Sequence, residues 1–275
     1  MKTNKLIFAI LALSISVSFF AKSQDRDQLT VPLSDPNKEG KVKIEIITGS
    51  IKVVGYDGKD IVIDAVSGDK SEKRVNKERS DGMKRISTNS GFELTAKENN
   101  NTVSIGVDKV NMNVNITVKV PRKCSLKLST INDGDILVEN VSGNLEISNI
   151  NGNIKMKNIA GSVVANTIND DIIVNFTTIT PNTPMAFTSL NGKVDVTFPA
   201  TLKTNVKLKS DMGEVYSDFD IDVDKTPSKI NHSADKEKGL YKIKKDEWTY
   251  GKINGGGSEI MMKTFNGDIF IRKAK

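Results

Sequence analysis

The chain has 275 residues, with 5% aromatic residues, 7 prolines and a formal net charge of +6. Residues 1–23 hold Lys2, Lys5 and Lys22 and no acidic residue, so the remainder carries 37 basic against 34 acidic residues, a net of +3. That excess is too small to mark nucleic acid or an anionic membrane as a partner. So few aromatics suit thin stacked layers of Ile, Val and Leu better than a thick globular core.

The first 23 residues read as a secretory signal. Lys2 and Lys5 open it, an apolar run extends from Leu6 to Phe20, and Ala21-Lys22-Ser23 offers small residues for cleavage before Gln24. The run is shorter than the roughly 20 residues that span a bilayer. Residues 24–40, with Pro32 and Pro36, read as a mature N-terminal arm. Strands are expected at Gly40–Ile47, Gly49–Gly55 and Asp60–Val66. Thr48-Gly49-Ser50-Ile51 is an early copy of the repeat described below. Residues 67–90 mix basic and acidic side chains and read as a solvated insertion with a short helix near Ser71–Arg79. Strands resume at Gly91–Ala96, Thr102–Val107 and Val114–Val120, where Pro121 ends the run.

From Thr130 to Asn175 a nine-residue unit repeats without interruption. Gly134, Gly143, Gly152 and Gly161 fall nine residues apart and Asp170 takes the fifth place. Two residues after each comes an apolar residue (Ile136, Leu145, Ile154, Val163, Ile172), and two further on another (Val138, Ile147, Met156, Ala165, Val174). Side chains two apart on a strand share a face, so these pairs line an interior. The residues between them (Leu137, Glu146, Lys155, Val164, Ile173) face outward. Gly or Asn ahead of each strand supplies the positive φ of a tight turn.

The units fall into two alternating classes. One is apolar-Asn-Gly/Asp: Ile150-Asn151-Gly152, Ile168-Asn169-Asp170, and later Leu190-Asn191-Gly192 and Phe265-Asn266-Gly267. The other has small residues: Val141-Ser142-Gly143 and Ile159-Ala160-Gly161. Alternation makes the true period eighteen. The expected fold is all-β, a β-solenoid like a parallel β-helix with a coil of about 18–22 residues, like turns stacking on like. The rival is an antiparallel meander or sandwich of hairpins, since Asn-Gly between alternating hydrophobics is also a hairpin signal. Pro181 and Pro184 mark a wider turn, residues 220–257 read as a second polar insertion with a glycine-rich turn, and Asn266-Gly267-Asp268-Ile269 restores the motif. Residues 41–275 are thus expected to form a single domain with insertions near 67–90 and 220–257.

The chemistry-bearing residues are sparse. His232 lies in the polar stretch Asn231-His232-Ser233-Ala234-Asp235, whose adjacent residues cannot form a preorganised relay. With a single histidine and a single cysteine, Cys124, neither a disulfide nor a transition-metal site is expected. Turn carboxylates Asp133, Asp135, Asp170, Asp171 and Asp268 admit three readings: local turn hydrogen bonding, calcium ligation, and glycosidase acid and base. The unit lacks the doubled glycine and fixed aspartate of the calcium nonapeptide, and Trp248 is the single tryptophan, so no aromatic subsite accompanies the carboxylates. No catalytic residue, cofactor or metal ligand is assigned.

The series SGNLEISNINGNIKMKNIAGSVVANTINDDIIVNF resembles the bacterial putative-adhesin family of β-strand repeat proteins, a domain of unknown function, and the related putative autotransporter-adhesin head domain. The resemblance covers roughly Lys41 to Arg272. It implies an extracytoplasmic location (periplasm, cell surface or secreted) and transfers no site residue. The functional expectation is an exported, non-enzymatic envelope scaffold or adhesin-like binding surface, with an envelope glycan or protein as partner. The alternative is a β-helical carbohydrate-active enzyme.

Overall fold

A computed structural model describes residues 28–68, 91–108, 112–225, 230–235, 240–245 and 248–275. The expected signal segment, most of the first insertion and its expected helix lie outside the described residues. In chain order the strands are β1 (Leu29–Val31), β2 (Gly40–Glu45), β3 (Ile51–Tyr56), β4 (Ile61–Ser67), β5 (Leu94–Asn99), β6 (Thr102–Val107), β7 (Val114–Pro121) and β8 (Cys124–Thr130). There follow β9 (Ile136–Glu139), β10 (Ser142–Asn149), β11 (Ile154–Asn166), β12 (Ile172–Ile179), β13 (Met185–Thr188), β14 (Val194–Phe198) and β15 (Thr204–Ser210). The last are β16 (Val215–Ser217), β17 (Ile221–Val223), β18 (Ile230–Asp235), β19 (Leu240–Lys245), β20 (Thr249–Ile253), β21 (Glu259–Thr264) and β22 (Ile269–Lys273). The described chain is all-β: one mixed sheet of 20 strands, and a separate two-stranded sheet of β18 and β19. No described helix is long and apolar enough to cross a membrane.

Pairing inside the repeat is parallel at the eighteen-residue offset. Leu145 lies beside Val163, and Ile154 lies beside both Ile136 and Ile172. Consecutive nine-residue units therefore lie in different ladders, as alternating turn classes require and as hairpins would not. One ladder runs β6, β2, β8, β10, the C-terminal half of β11, β13, β21, β15. The other runs β7, β3, β9, the N-terminal half of β11, β12, β14, β22, β16. Each layer gives one strand to each ladder, so the stack is roughly 35 Å long at ~4.8 Å per step.

The order of layers is not the order of the sequence. The first layer, β2 and β3, lies between β6/β7 and β8/β9. The last, β21 and β22, lies between β13/β14 and β15/β16. Antiparallel strands cover the ends. β5 covers β6, and β4 covers β7 and is itself covered by β1. At the other end β20 covers β15 and is followed by β17. Thus part of the 24–40 stretch and part of the 220–257 stretch serve as covers rather than free polar chain. His232 lies in β18 opposite Ile243, in a strand where the sequence reads as a polar insertion.

All ten inward residues expected from the repeat are buried, in one continuous core. Where the offset widens from eighteen residues to 22, between Ile172 and Val194, the extra interior is filled by aromatic rings. Phe176 stacks on Phe198 at 5.3 Å between centroids, and both meet Phe187 edge-on at 6.4 Å.

Gly152 shows what the turns demand. Its φ is +145°, and a Cβ there would lie 2.3 Å from the Gly134 carbonyl oxygen of the next layer. Gly152→Val is expected to cost at least about 3 kcal/mol, since the strained backbone alone costs ~1–3 kcal/mol. Lys155→Val, on the outward face, should stay within about 0.5 kcal/mol. Denaturant unfolding checks the ranking. Hydrogen exchange on Gly152→Val should show lost protection at 133–138 and 170–174, the layers on either side, rather than at 145–148 alone.

Candidate functional site: the Asn-Gly edge

The Asn-Gly turns stack into a single column along one edge of the molecule. Asn151 donates from Nδ2 to Asn132 Oδ1 at 3.1 Å, Asn169 to Asn151 at 2.7 Å, and Asn191 to Asn169 at 3.0 Å. Asn151 and Asn169 each donate and accept within the ladder, and Asn151 Nδ2 also donates to the Ile131 carbonyl at 3.2 Å. Asp133 and Asp170 adopt φ of +55° and +93°, which Asn and Asp tolerate better than other side chains. This is why an aspartate can stand where glycine stands elsewhere.

Below the amide ladder lies a second, interior column. Strand parity points Thr130, Asn149, Thr167, Ser189, Thr264 and Ser210 inward, where an apolar residue would be expected. Each donates instead to a glycine-position carbonyl of the neighbouring layer: Thr130 to Gly49, Asn149 to Gly134, Thr167 to Gly152, Ser189 to Asp170, Thr264 to Gly192, Ser210 to Gly267. The tight turn turns these carbonyls inward, away from water, and the hydroxyls supply the bonds that water cannot. The sequence reading missed this column. Its signal was a polar residue at an inward-facing strand position just before each apolar-Asn pair.

The turn carboxylates are used in the same way. Asp135 accepts from the Asn153 N–H at 2.8 Å, Asp171 from the Lys193 N–H at 2.9 Å, and Asp268 from the Glu214 N–H at 2.9 Å. They tie layer to layer and lie one per layer rather than converging. Among the described residues no group of three His, Cys, Asp or Glu gathers in metal-ligating geometry.

The apolar residue at the head of these stacked turns points outward. Ile47, Ile131, Ile168, Leu190 and Phe265 are each 36–46% exposed. With Ile150, half-buried between Ile131 and Ile168, they occupy six consecutive layers, because Asn132 N–H bonds Ile47 O, Asn151 N–H bonds Ile131 O, Asn169 N–H bonds Ile150 O, Asn191 N–H bonds Ile168 O and Asn266 N–H bonds Leu190 O. The result is a straight apolar ridge along most of the stack, bordered by the amide ladder. Nothing in the fold requires it, since the core is on the opposite side of the turn.

Other surfaces are more local. Tyr216 stacks on Phe270 at 5.2 Å, and Arg272 lies over Phe270 and forks onto Asp195 at 2.6 and 3.0 Å. A shallow cavity of about 510 Å³ opens where Pro181 and Pro199 widen the other turn column; threonines dominate its lining and Lys203 is its single charge. Cys124 is buried at the head of β8. Burial, with the Glu39 charge adding to it, pushes its thiol up to about 12.

No protein-family model matches the chain. No curated protein sequence matches it either. Two solved structures are similar. One, described as a "putative cell adhesion protein" from Clostridium sporogenes, is 13% identical with a TM-score of 0.46, over 90% of this chain and 99% of its own. The other, a "putative adhesin" from Bacteroides fragilis, is 14% identical with a TM-score of 0.37, over 89% and 95%.

Two outcomes test the site's chemistry. Thr264→Val keeps the shape but orphans the Gly192 carbonyl, and should cost about 1–3 kcal/mol in urea unfolding. The native Cys124 thiol should resist alkylation at pH 8 until the chain unfolds. Its folded pKa lies above the ordinary 9.0, so stability from the neutral thiol is complete below pH 9 and falls as pH rises toward 12. A serine at this position should flatten that alkaline limb.

Proposed function

We propose that the protein is an exported, non-catalytic β-solenoid of the bacterial cell envelope, a single domain over residues 41–275 whose Asn-Gly edge is an adhesin-like binding surface. The observation that carries this reading is the ridge: five exposed large apolar side chains in register beside a ladder of amides, on a backbone held by hydrogen bonds between every pair of layers. Soluble monomers seldom expose contiguous apolar surface without using it. The ridge offers dispersion contacts and the amides offer directional donors, a pairing suited to a glycan chain or an extended protein surface.

The enzymatic alternative gains no support from the carboxylates. Among the described residues Asp35, Asp57 and Glu98 are held below the usual carboxylate range, by Lys38, Arg122 and the Ser34 hydroxyl respectively. A glycosidase acid needs the opposite direction. Asp135, Asp171 and Asp268 are committed to backbone N–H groups.

Two measurements test the proposal. N-terminal mass spectrometry of envelope fractions should find the chain starting at Gln24; an intact Met1 there would refute export with cleavage. The variant Ile131→Ser/Ile168→Ser/Leu190→Ser should keep the melting temperature within a few degrees, because these side chains lie outside the core. Its binding to isolated envelopes and to arrayed glycans should drop at least tenfold. Undiminished binding would move the function off this edge.

A further inference from the structure

Among the described residues one ladder end carries no cover, and its chemistry specifies what would complete it. Of the four ladder ends, three carry an antiparallel cover strand: β5 on β6, β4 on β7, β20 on β15. The fourth, β16, pairs with β22 alone among the described residues. The consequence shows in one inward column. Ile116, Ile51, Ile136, Ile154, Ile172, Val194 and Ile269 are at most 1% exposed, whereas Val215, the next member, is 38% exposed. Met212, just before it, is 70% exposed and Tyr216 is 50% exposed.

The free edge is a hydrogen-bonding edge as well as an apolar one. Ile269 N–H bonds Glu214 O, and Asp218 N–H bonds Ile271 O, so the even-numbered residues of this segment face β22. Alternation then leaves the N–H and C=O groups of Val215 and Ser217 pointing away from the sheet. The flanking charge is of one sign. Residues 211–224 contain Asp211, Glu214, Asp218, Asp220, Asp222 and Asp224 and no basic residue. Asp211 is paired with Lys209, and Asp218 accepts the Lys273 N–H. Among the described residues Glu214, Asp220 and Asp222 form no ion pair.

We infer that β16 is a strand-accepting edge that takes an extended cationic segment of another protein, in which Lys or Arg alternate with apolar residues. The segment lies antiparallel, as the other three covers do. Its backbone pairs with Val215 and Ser217, its apolar side chains cover Val215, and its cations meet Glu214, Asp220 and Asp222. This inference is independent of the ridge: it concerns the end of the stack, not its edge, and holds whether or not the ridge binds anything.

The test uses the full mature chain and a labelled ten-residue peptide alternating lysine and valine. Fluorescence anisotropy should show saturable binding that weakens at least tenfold between 50 and 500 mM salt. Hydrogen exchange should show new protection at Val215 and Ser217 and none at Ile131 or Leu190. N-methylation of alternate peptide nitrogens, which removes donors but keeps charge, should abolish binding on the edge-facing register. Glu214→Lys/Asp220→Lys should weaken it at least tenfold at unchanged melting temperature. Equal binding of both N-methylated registers, or of a glutamate-valine peptide, would overturn strand addition. So would Val215 and Ser217 amides already protected in the free chain, at any concentration or only where sedimentation shows a dimer. The first would mean that the chain's own 226–247 segment covers the edge, and the second that another copy does.

Discussion

The structure depends on how closely one Asn-Gly turn approaches the next. The carbonyl oxygen of each layer occupies the space a Cβ of its neighbour would need: Gly134 O against Gly152, Asp170 O against Gly192, Gly192 O against Gly267, each within 2.1 to 2.3 Å of that position. Such contact is possible only where the side chain is absent or the backbone turns it away. It brings successive turns close enough for the amide ladder outside and the hydroxyl column inside to form. The strands then inherit their register from the turns, because Asp135 and Asp171 hold Asn153 and Lys193, the residues just ahead of β11 and β14, to the neighbouring layer. A slip by one residue would exchange the inward Ile and Val for Lys and Glu, so the turn and the strand pattern enforce the same alignment.

The reordered layers follow from that interchangeability. A turn built from a hydroxyl, an outward apolar residue, Asn and Gly can stack on any other of its kind, whatever its place in the sequence. Asn266 follows Asn191 in space although 75 positions separate them, and Thr48 lies beside Asn132. The poorest copies go to the ends: Asp211-Met212-Gly213 lacks the asparagine and closes the stack. Inserting the first and last layers between others gives β2, β3, β21 and β22 a neighbour on each side. These contacts are long in sequence, which slows folding and raises the barrier to fraying from the termini.

Much of this was legible in the sequence, for a physical reason. Tight turns need Gly, Asn or Asp and interior faces need apolar residues every second position, so the nine-residue unit is written in residue types. The alternation of turn classes separated parallel stacking from hairpins, because only stacking brings like turns together. The order of layers was not legible, since Gly267 reads the same beside Gly192 or Gly213. Neither was the cover role of β17 and β20: their sequences are polar because one face stays wet. The hydroxyl column was written plainly and overlooked. Following strand parity one step past Ile147 or Ala165 reaches Asn149 or Thr167, polar where the pattern calls for apolar.

The ridge separates what folding requires from what it merely permits. The inward column must be apolar, and the glycine position must be small. The outward residue before each asparagine is under neither constraint, because its side chain points away from the interior and its backbone is already bonded. Asp211 holds that place at the closing turn, paired with Lys209 and exposed to water, so a charged residue is structurally acceptable there. Six layers nonetheless carry Ile, Leu or Phe in register, five of them 36–46% exposed. Leaving such side chains 36–46% exposed forgoes about 0.5–1.5 kcal/mol each relative to full burial. A stack stabilised by its turns and core gains nothing from that exposure. A surface that closes against a partner recovers it layer by layer, at the same ~4.8 Å step that sets the turns.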